Sequence, residues 1–128
     1  MEDSSGNDNQ GTMNGSMTED DWVMGKYGSA LDFDGSDDYI SLPSEVFQAF
    51  GSTNDLTINL WTKIHSSTPV NSSSFVGFDG DNALDRPFIY IGHLSDGNLV
   101  ARIREDSSAS TNTVDVSDAE YLGKWTML

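Results

Sequence analysis

Apolar and polar residues alternate through much of this chain, and that pattern predicts β-strands rather than helices. Leu31 and Phe33 fall on one side of a first strand, and Ile40 and Leu42 fall on one side of a second. The Asp-Gly pair at 34–35 lies between them. It supplies a turn, because glycine tolerates positive φ and aspartate can hydrogen-bond to its own backbone. The pattern therefore predicts that these two strands form a hairpin.

The remainder of the chain continues the same pattern of short strands separated by turns. Leu99, Ala101 and Ile103 alternate with polar positions, so we expect them to face the core. Residues 44–50 have helical spacing behind a serine cap and predict one helical turn. The other predicted strands cover residues 11–14, 56–64, 75–78, 88–94, 99–104, 113–116 and 125–128. Many short strands with turn signals between them indicate an all-β sandwich or jelly roll.

The charge of the chain limits the classes of partner. Twenty-one acidic residues face six basic ones, which gives a net charge of -15. A nucleic-acid partner is not expected, because neutralising phosphates requires clustered Lys and Arg. No apolar run approaches the ~20 residues that a membrane helix needs, so membrane insertion is not expected. Acid spread this evenly is typical of proteins from salt-adapted organisms, in which high salt screens the repulsion. The alternative is an ordinary acidic secreted domain that binds calcium.

Residues 25–43 carry a specific family resemblance. They read Gly-Lys-Tyr-Gly-Ser-Ala-Leu-Asp-Phe-Asp-Gly-Ser-Asp-Asp-Tyr-Ile-Ser-Leu-Pro. This closely resembles the opening hairpin of laminin G-like domains in the concanavalin A-like lectin/glucanase superfamily. Three further segments resemble the same family in the same order: residues 3–7 followed by 11–13, the strand 56–64 with its tryptophan, and Gly-Lys-Trp at 123–125. The resemblance covers nearly the whole chain.

The resemblance implies an antiparallel jelly-roll sandwich of the laminin G-like type. Residues 1–128 would form a single domain that lacks its first strand and its C-terminal strands. Residues 125–128 would then begin a strand whose partners are missing, which leaves an unpaired sheet edge. By strand position, Trp61 and Trp125 are expected to pack in the core.

The function that the resemblance implies is non-catalytic recognition outside the cell or at its surface, with carbohydrate or a cell-surface glycoprotein as the partner. Glucanases of the superfamily carry a Glu-x-Asp-x-Glu strand, and this spacing is absent from the sequence. His65 and His93 are each expected to be solvated or structurally satisfied rather than catalytic bases. Two alternatives remain: a structural or adhesive spacer of a surface protein or viral fibre, and an accessory domain of a secreted glycosidase or protease.

Calcium is the cofactor that the sequence suggests, because hard cations take carboxylate, carbonyl and amide oxygens. Asp3 and Asn7 match a position where relatives can hold a structural calcium. The loop after residue 78 loosely resembles the Asp-Asn calcium site of pentraxin-like relatives. The expected metal ligands are Asp3, Asn7, Asp79 and Asp81. In so acidic a chain, however, any loop holds several aspartates.

Ligand binding is expected mainly in the same loop, where a metal could offer an open position to sugar hydroxyls. The expected ligand-binding residues are Asp81, Asn82, Asp85 and Arg86. Asp34, Asp37 and Asp38 form a further acidic group, but Asp34 is assigned to the turn and Asp38 to the start of the strand. A tyrosine could stack on a pyranose ring, but the sequence does not rank the four candidates, which are Tyr27, Tyr39, Tyr90 and Tyr121.

Overall fold

The computed structural model describes residues 1–46, 57–64, 73–79, 88–94, 98–104, 112–116 and 121–128. Within these residues the chain is built mainly of short strands, and every strand pair is antiparallel, which confirms the all-β class. The strands are β1 Thr12–Asn14, β2 Trp22–Met24, β3 Ser29–Leu31, β4 Tyr39–Ser41, β5 Trp61–Lys63, β6 Ser73–Asp79, β7 Phe88–His93, β8 Leu99–Arg104, β9 Asn112–Val116 and β10 Trp125–Met127.

Helical structure is scarce in the described part of the chain. A 3-10 helix covers Glu19–Asp21 and is capped by Thr18, whose side chain accepts from the backbone N–H of Asp20. Residues 44–46 are helical, as the serine cap predicted, while residues 47–50 lie outside the described ranges. No helix in the described ranges is long and apolar enough to cross a bilayer.

The chain divides into two compact units. The first contains Met1–Leu60 together with Leu128, and the second contains Trp61–Met127. In the first unit β1 pairs with β4 and β2 pairs with β3, each as a two-stranded sheet. The single laminin G-like domain expected over residues 1–128 stays a prediction.

The predicted hairpin between β3 and β4 is wrong, because each strand takes a different partner. The seven residues 32–38 between them form a loop closed by its own side chains. The N–H of Asp34 donates to Asp38 Oδ2 at 3.0 Å, and the N–H of Ser36 donates to Asp34 Oδ1 at 2.7 Å. The Ser16 hydroxyl donates to Asp38 Oδ1 at 2.9 Å, which links the turn after β1 to the start of β4. Local side-chain bonds thus compete with the tight hairpin turn.

The second unit contains the four-stranded sheet β6-β7-β8-β9 and the pair β5–β10. Its buried side chains in the described ranges include Leu99, Val100 and Tyr121. Leu99 is buried as predicted, but Ala101 is exposed, so the predicted inward face of β8 is only partly right. Adjacent residues of a strand point to opposite faces, so burial of both Leu99 and Val100 means that both faces of β8 are covered at this end.

The expectation that the strand at residues 125–128 lacks its partners is wrong, although in the described residues β10 has a partner on one edge only. Strand β10 pairs with β5, with Thr126 opposite Thr62. Leu60 and Leu128 also exchange two backbone hydrogen bonds of 3.1 and 2.9 Å. Trp61 is 41% exposed, so its assignment to the core is wrong; Trp125 is half-buried.

Candidate functional site

One face of the β1–β4 pair combines an exposed aromatic ring with polar side chains. Asn14 lies directly opposite Tyr39 in the antiparallel register, and Thr12 lies opposite Ser41. Alternate residues of a strand share a face, so these four side chains project from the same side. We call this set the Tyr39 face; it consists of Thr12, Asn14, Tyr39 and Ser41.

The polar groups of the Tyr39 face are held in place around the ring. Asn14 Nδ2 donates to the Thr12 carbonyl oxygen at 2.8 Å and to Ser41 Oγ at 3.0 Å. Both amide hydrogens are used, and no donor to the amide oxygen lies among the described residues, so it can accept from a ligand. Tyr39 is 56% exposed. The face therefore offers an aromatic surface beside hydroxyl and amide groups of fixed orientation.

The structure ranks the four tyrosines that the sequence left equal. Tyr121 is buried at 2% exposure, and Tyr90 is half-buried. Burial raises the pKa of the Tyr90 phenol, while nearby Arg102 acts in the opposite direction. Tyr27 and Tyr39 are the exposed pair, at 74% and 56%. Only these two present a ring that a ligand could cover.

A carboxylate cluster adjoins the Tyr39 face along the chain. Asp34, Asp37 and Asp38 each place a carboxylate oxygen within 4.8 Å of the others. The Ser16 hydroxyl lies 3.1 Å from Asp37 Oδ1 and 2.9 Å from Asp38 Oδ1. Gly15 makes this approach possible, because its φ is +79° and a Cβ there would collide with the Asp37 carbonyl oxygen.

Hydrogen bonds stabilise the charged form of the cluster. The backbone N–H of Asp34 is the main cause that lowers the pKa of Asp38, and the Ser16 hydroxyl adds to it. Three carboxylates this close could offer oxygen ligands to a hard cation. The same bonds also serve the loop, and the Asp34–Ser36 bond confirms the predicted turn role of Asp34. The sequence points to these three aspartates around Gly35, and the structure brings their carboxylates together.

The predicted metal ligands Asp3 and Asn7 lie in one N-terminal loop. The Asp3 carboxylate accepts from the N–H of Ser5 at 2.8 Å, the Ser5 hydroxyl at 2.7 Å and the N–H of Asn9 at 2.9 Å. The Ser5 hydroxyl is the main cause that lowers the pKa of Asp3. Asn7 Nδ2 donates to Ser5 Oγ at 3.2 Å. Asp3 and Asn7 therefore meet through Ser5, and the carboxylate already orders the loop; calcium binding there stays a prediction.

The second predicted site falls almost entirely outside the described residues. Asp79 ends β6, where its backbone lies opposite Phe88 of β7. The remaining residues of that prediction lie outside the described ranges; they are Asp81, Asn82, Asp85 and Arg86. Their proposed roles in binding metal and sugar stay predictions.

His93 differs from its expected environment. Its side chain is 0% exposed, so it is buried rather than solvated, and no hydrogen-bond partner for Nδ1 or Nε2 lies among the described residues. Its ring approaches Tyr121 edge-on, with ring centroids 6.1 Å apart and an angle of 76° between the planes. His93 ends β7 opposite Leu99 of β8. His65 lies outside the described residues.

No protein-family model, curated protein or solved structure matches this chain.

Proposed function

We propose that this chain is a non-catalytic recognition module that acts outside the cell or at its surface and binds carbohydrate or glycoprotein. The observation that carries the proposal is the Tyr39 face. An exposed ring flanked by Asn14 and Ser41 matches the two kinds of surface on a sugar. The apolar C–H face of a pyranose packs on an aromatic ring, and its hydroxyls bond with amide and hydroxyl groups.

The proposal includes a laminin G-like, concanavalin A-like jelly roll as the architecture. Its support is the all-β class together with the resemblance of residues 25–43. Fold analogy alone is a weak argument for function, so the Tyr39 face carries the functional part. The non-catalytic part rests on the lack of a Glu-x-Asp-x-Glu segment in the sequence.

Shallow geometry sets the expected strength of binding. The Tyr39 face is an open surface of a two-stranded sheet, so it covers one side of a sugar rather than enclosing it. A single stacked ring with a few hydrogen bonds gives weak binding, on the order of a millimolar dissociation constant. Physiological binding would then depend on several copies of the module or of the glycan.

The test is a glycan array on the 128-residue protein, followed by NMR titration with each glycan that binds. Tyr39→Ala should weaken binding about tenfold, which corresponds to ~1.4 kcal/mol. Tyr39→Phe should retain the stacking. The matched control is Tyr27→Ala, which removes an exposed tyrosine outside the Tyr39 face.

Two results would contradict the proposal. One is an array without any glycan bound, which would favour the structural spacer instead. The other is an equal loss in Tyr39→Ala and Tyr27→Ala, which would show that the Tyr39 face has no special role. Repeating the titration with calcium and with EDTA tests whether the ion assists binding.

A further inference from the structure

Strand β2 has an open edge as well as exposed side chains. In the described part of the chain it pairs only with β3, with Val23 opposite Ala30. All three of its residues are exposed; the fractions are 39% for Trp22, 41% for Val23 and 90% for Met24. A strand exposed on both faces and along one edge is an accessible template for another strand.

The hydrogen-bond pattern shows which backbone groups point outward. The N–H of Asp32 donates to the Asp21 carbonyl oxygen at 2.9 Å, and this pair continues the β2–β3 register. Bonded and non-bonded pairs alternate in an antiparallel ladder. Trp22 and Met24 therefore belong to non-bonded pairs, and their N–H and C=O groups point away from β3.

Three of these four outward groups are available. The N–H of Trp22 donates to the Glu19 carbonyl oxygen and closes the 3-10 helix. The carbonyl of Trp22 and both backbone groups of Met24 have no such partner in the described residues. These groups have the spacing that an added antiparallel strand requires.

Acidic residues flank β2 and β3 along the chain. The 3-10 helix directly before β2 consists of Glu19, Asp20 and Asp21, and Asp32 follows β3. Lys26 is the single cation in the sequence between Glu19 and Asp32. A strand added to β2 would therefore lie in a negative potential, which favours basic side chains on the added segment.

Charge also decides between two possible occupants. A second copy of the chain would bring another net charge of -15 to the interface, so repulsion opposes self-pairing. A basic partner would be attracted instead. We propose that β2 binds an extended segment of another protein, with alternating apolar and basic residues, by strand addition. The apolar side chains cover Trp22 and Met24, and the basic ones meet the carboxylates of the 3-10 helix.

The experiment is an NMR titration of the isotope-labelled protein with a synthetic peptide of alternating valine and lysine. We expect saturable shifts centred on the amides of β2. A peptide of alternating glycine and lysine carries the same charge without the apolar face and should bind at least about tenfold more weakly. A peptide of alternating valine and glutamate should not bind.

Two sets of variants test the geometry. Met24→Pro removes an outward N–H that β3 does not use, so it should abolish the β2 shifts while the β2–β3 pair persists. Met24→Ala keeps the N–H and should retain part of the binding. If Met24→Pro fails to fold, the double variant Glu19→Gln/Asp20→Asn takes its place; it leaves the capping Asp21 intact and should weaken binding of the lysine peptide.

Specific results would overturn the inference. Equal binding of the valine-lysine and glycine-lysine peptides would show that the peptides bind only through general attraction to an acidic protein. Undiminished binding by folded Met24→Pro, or by the double variant, would exclude strand addition at β2. These outcomes are independent of glycan binding at the Tyr39 face, because no residue is shared between the two surfaces.

Discussion

Replacing His93 with leucine should stabilise the protein. The imidazole is fully buried, and within the described part of the chain neither of its nitrogens has a hydrogen-bond partner. Leaving a buried polar group unsatisfied costs about 1–3 kcal/mol, and neutral imidazole carries one donor and one acceptor. Leucine has a similar volume and no polar atom, so His93→Leu removes this cost.

The loss that opposes this gain is smaller. His93→Leu forfeits the edge-on contact with Tyr121, which is worth about 0.5–1.5 kcal/mol. The expected net change is an increase of about 1 kcal/mol or more in the free energy of unfolding. Because leucine is close to histidine in volume, overpacking should remain a minor term.

Urea unfolding at neutral pH, followed by circular dichroism, measures this change. Two controls define the assay. His93→Asn keeps a buried polar group and should give no gain. Val100→Ala removes apolar volume from a site that is 1% exposed and should lower stability by about 2 kcal/mol. A lower free energy of unfolding for His93→Leu than for the parent protein would refute the reasoning.

Three further predictions concern charge. Hydrogen bonds lower the pKa of Asp38 and Asp3 in the folded protein, so both carboxylates stabilise the fold at pH values above their unfolded pKa. The urea midpoint should therefore fall as the pH drops through the folded pKa, and this fall should be smaller in Asp38→Asn. Raising NaCl from millimolar to molar should raise the melting temperature by screening the charge of -15, whereas a flat response would exclude the salt-adapted interpretation. Calcium should raise the melting temperature more than sodium of equal ionic strength. Loss of this increase in Asp3→Asn would assign the calcium to the N-terminal loop, and its loss in Asp37→Asn would assign it to the carboxylate cluster. A melting temperature that calcium leaves unchanged would rule out the metal hypothesis.

The strands of the four-stranded sheet could be predicted well from the sequence. Strand β8 has the predicted bounds, and β7 and β9 differ from theirs by one residue. Strand β7 is an almost continuous apolar run, β8 and β9 contain alternating apolar and polar residues, and Asp96-Gly97 is a turn signal between β7 and β8, so the local pattern suffices to locate these strands.

Strand pairing in the first unit was harder to predict. The Asp-Gly pair at 34–35 favours a tight turn between β3 and β4. In the structure the N–H of Asp34 donates to the Asp38 carboxylate instead, and the two strands take different partners. The burial of His93 is a second example. Its position beside a turn signal indicates exposure, but packing of both faces at the end of β8 covers it. Both features depend on contacts between segments, which the local pattern does not contain.

The pairing of β5 with β10 has a consequence for the order of folding. Strands β6 to β9 are neighbours in both sequence and sheet, so each contact closes a short loop. Bringing β5 to β10 closes a loop that contains the whole four-stranded sheet, at a higher entropic cost. We expect the sheet to form first and the β5–β10 ladder to close last. Weakening that ladder should then accelerate unfolding and leave the rate of folding nearly unchanged.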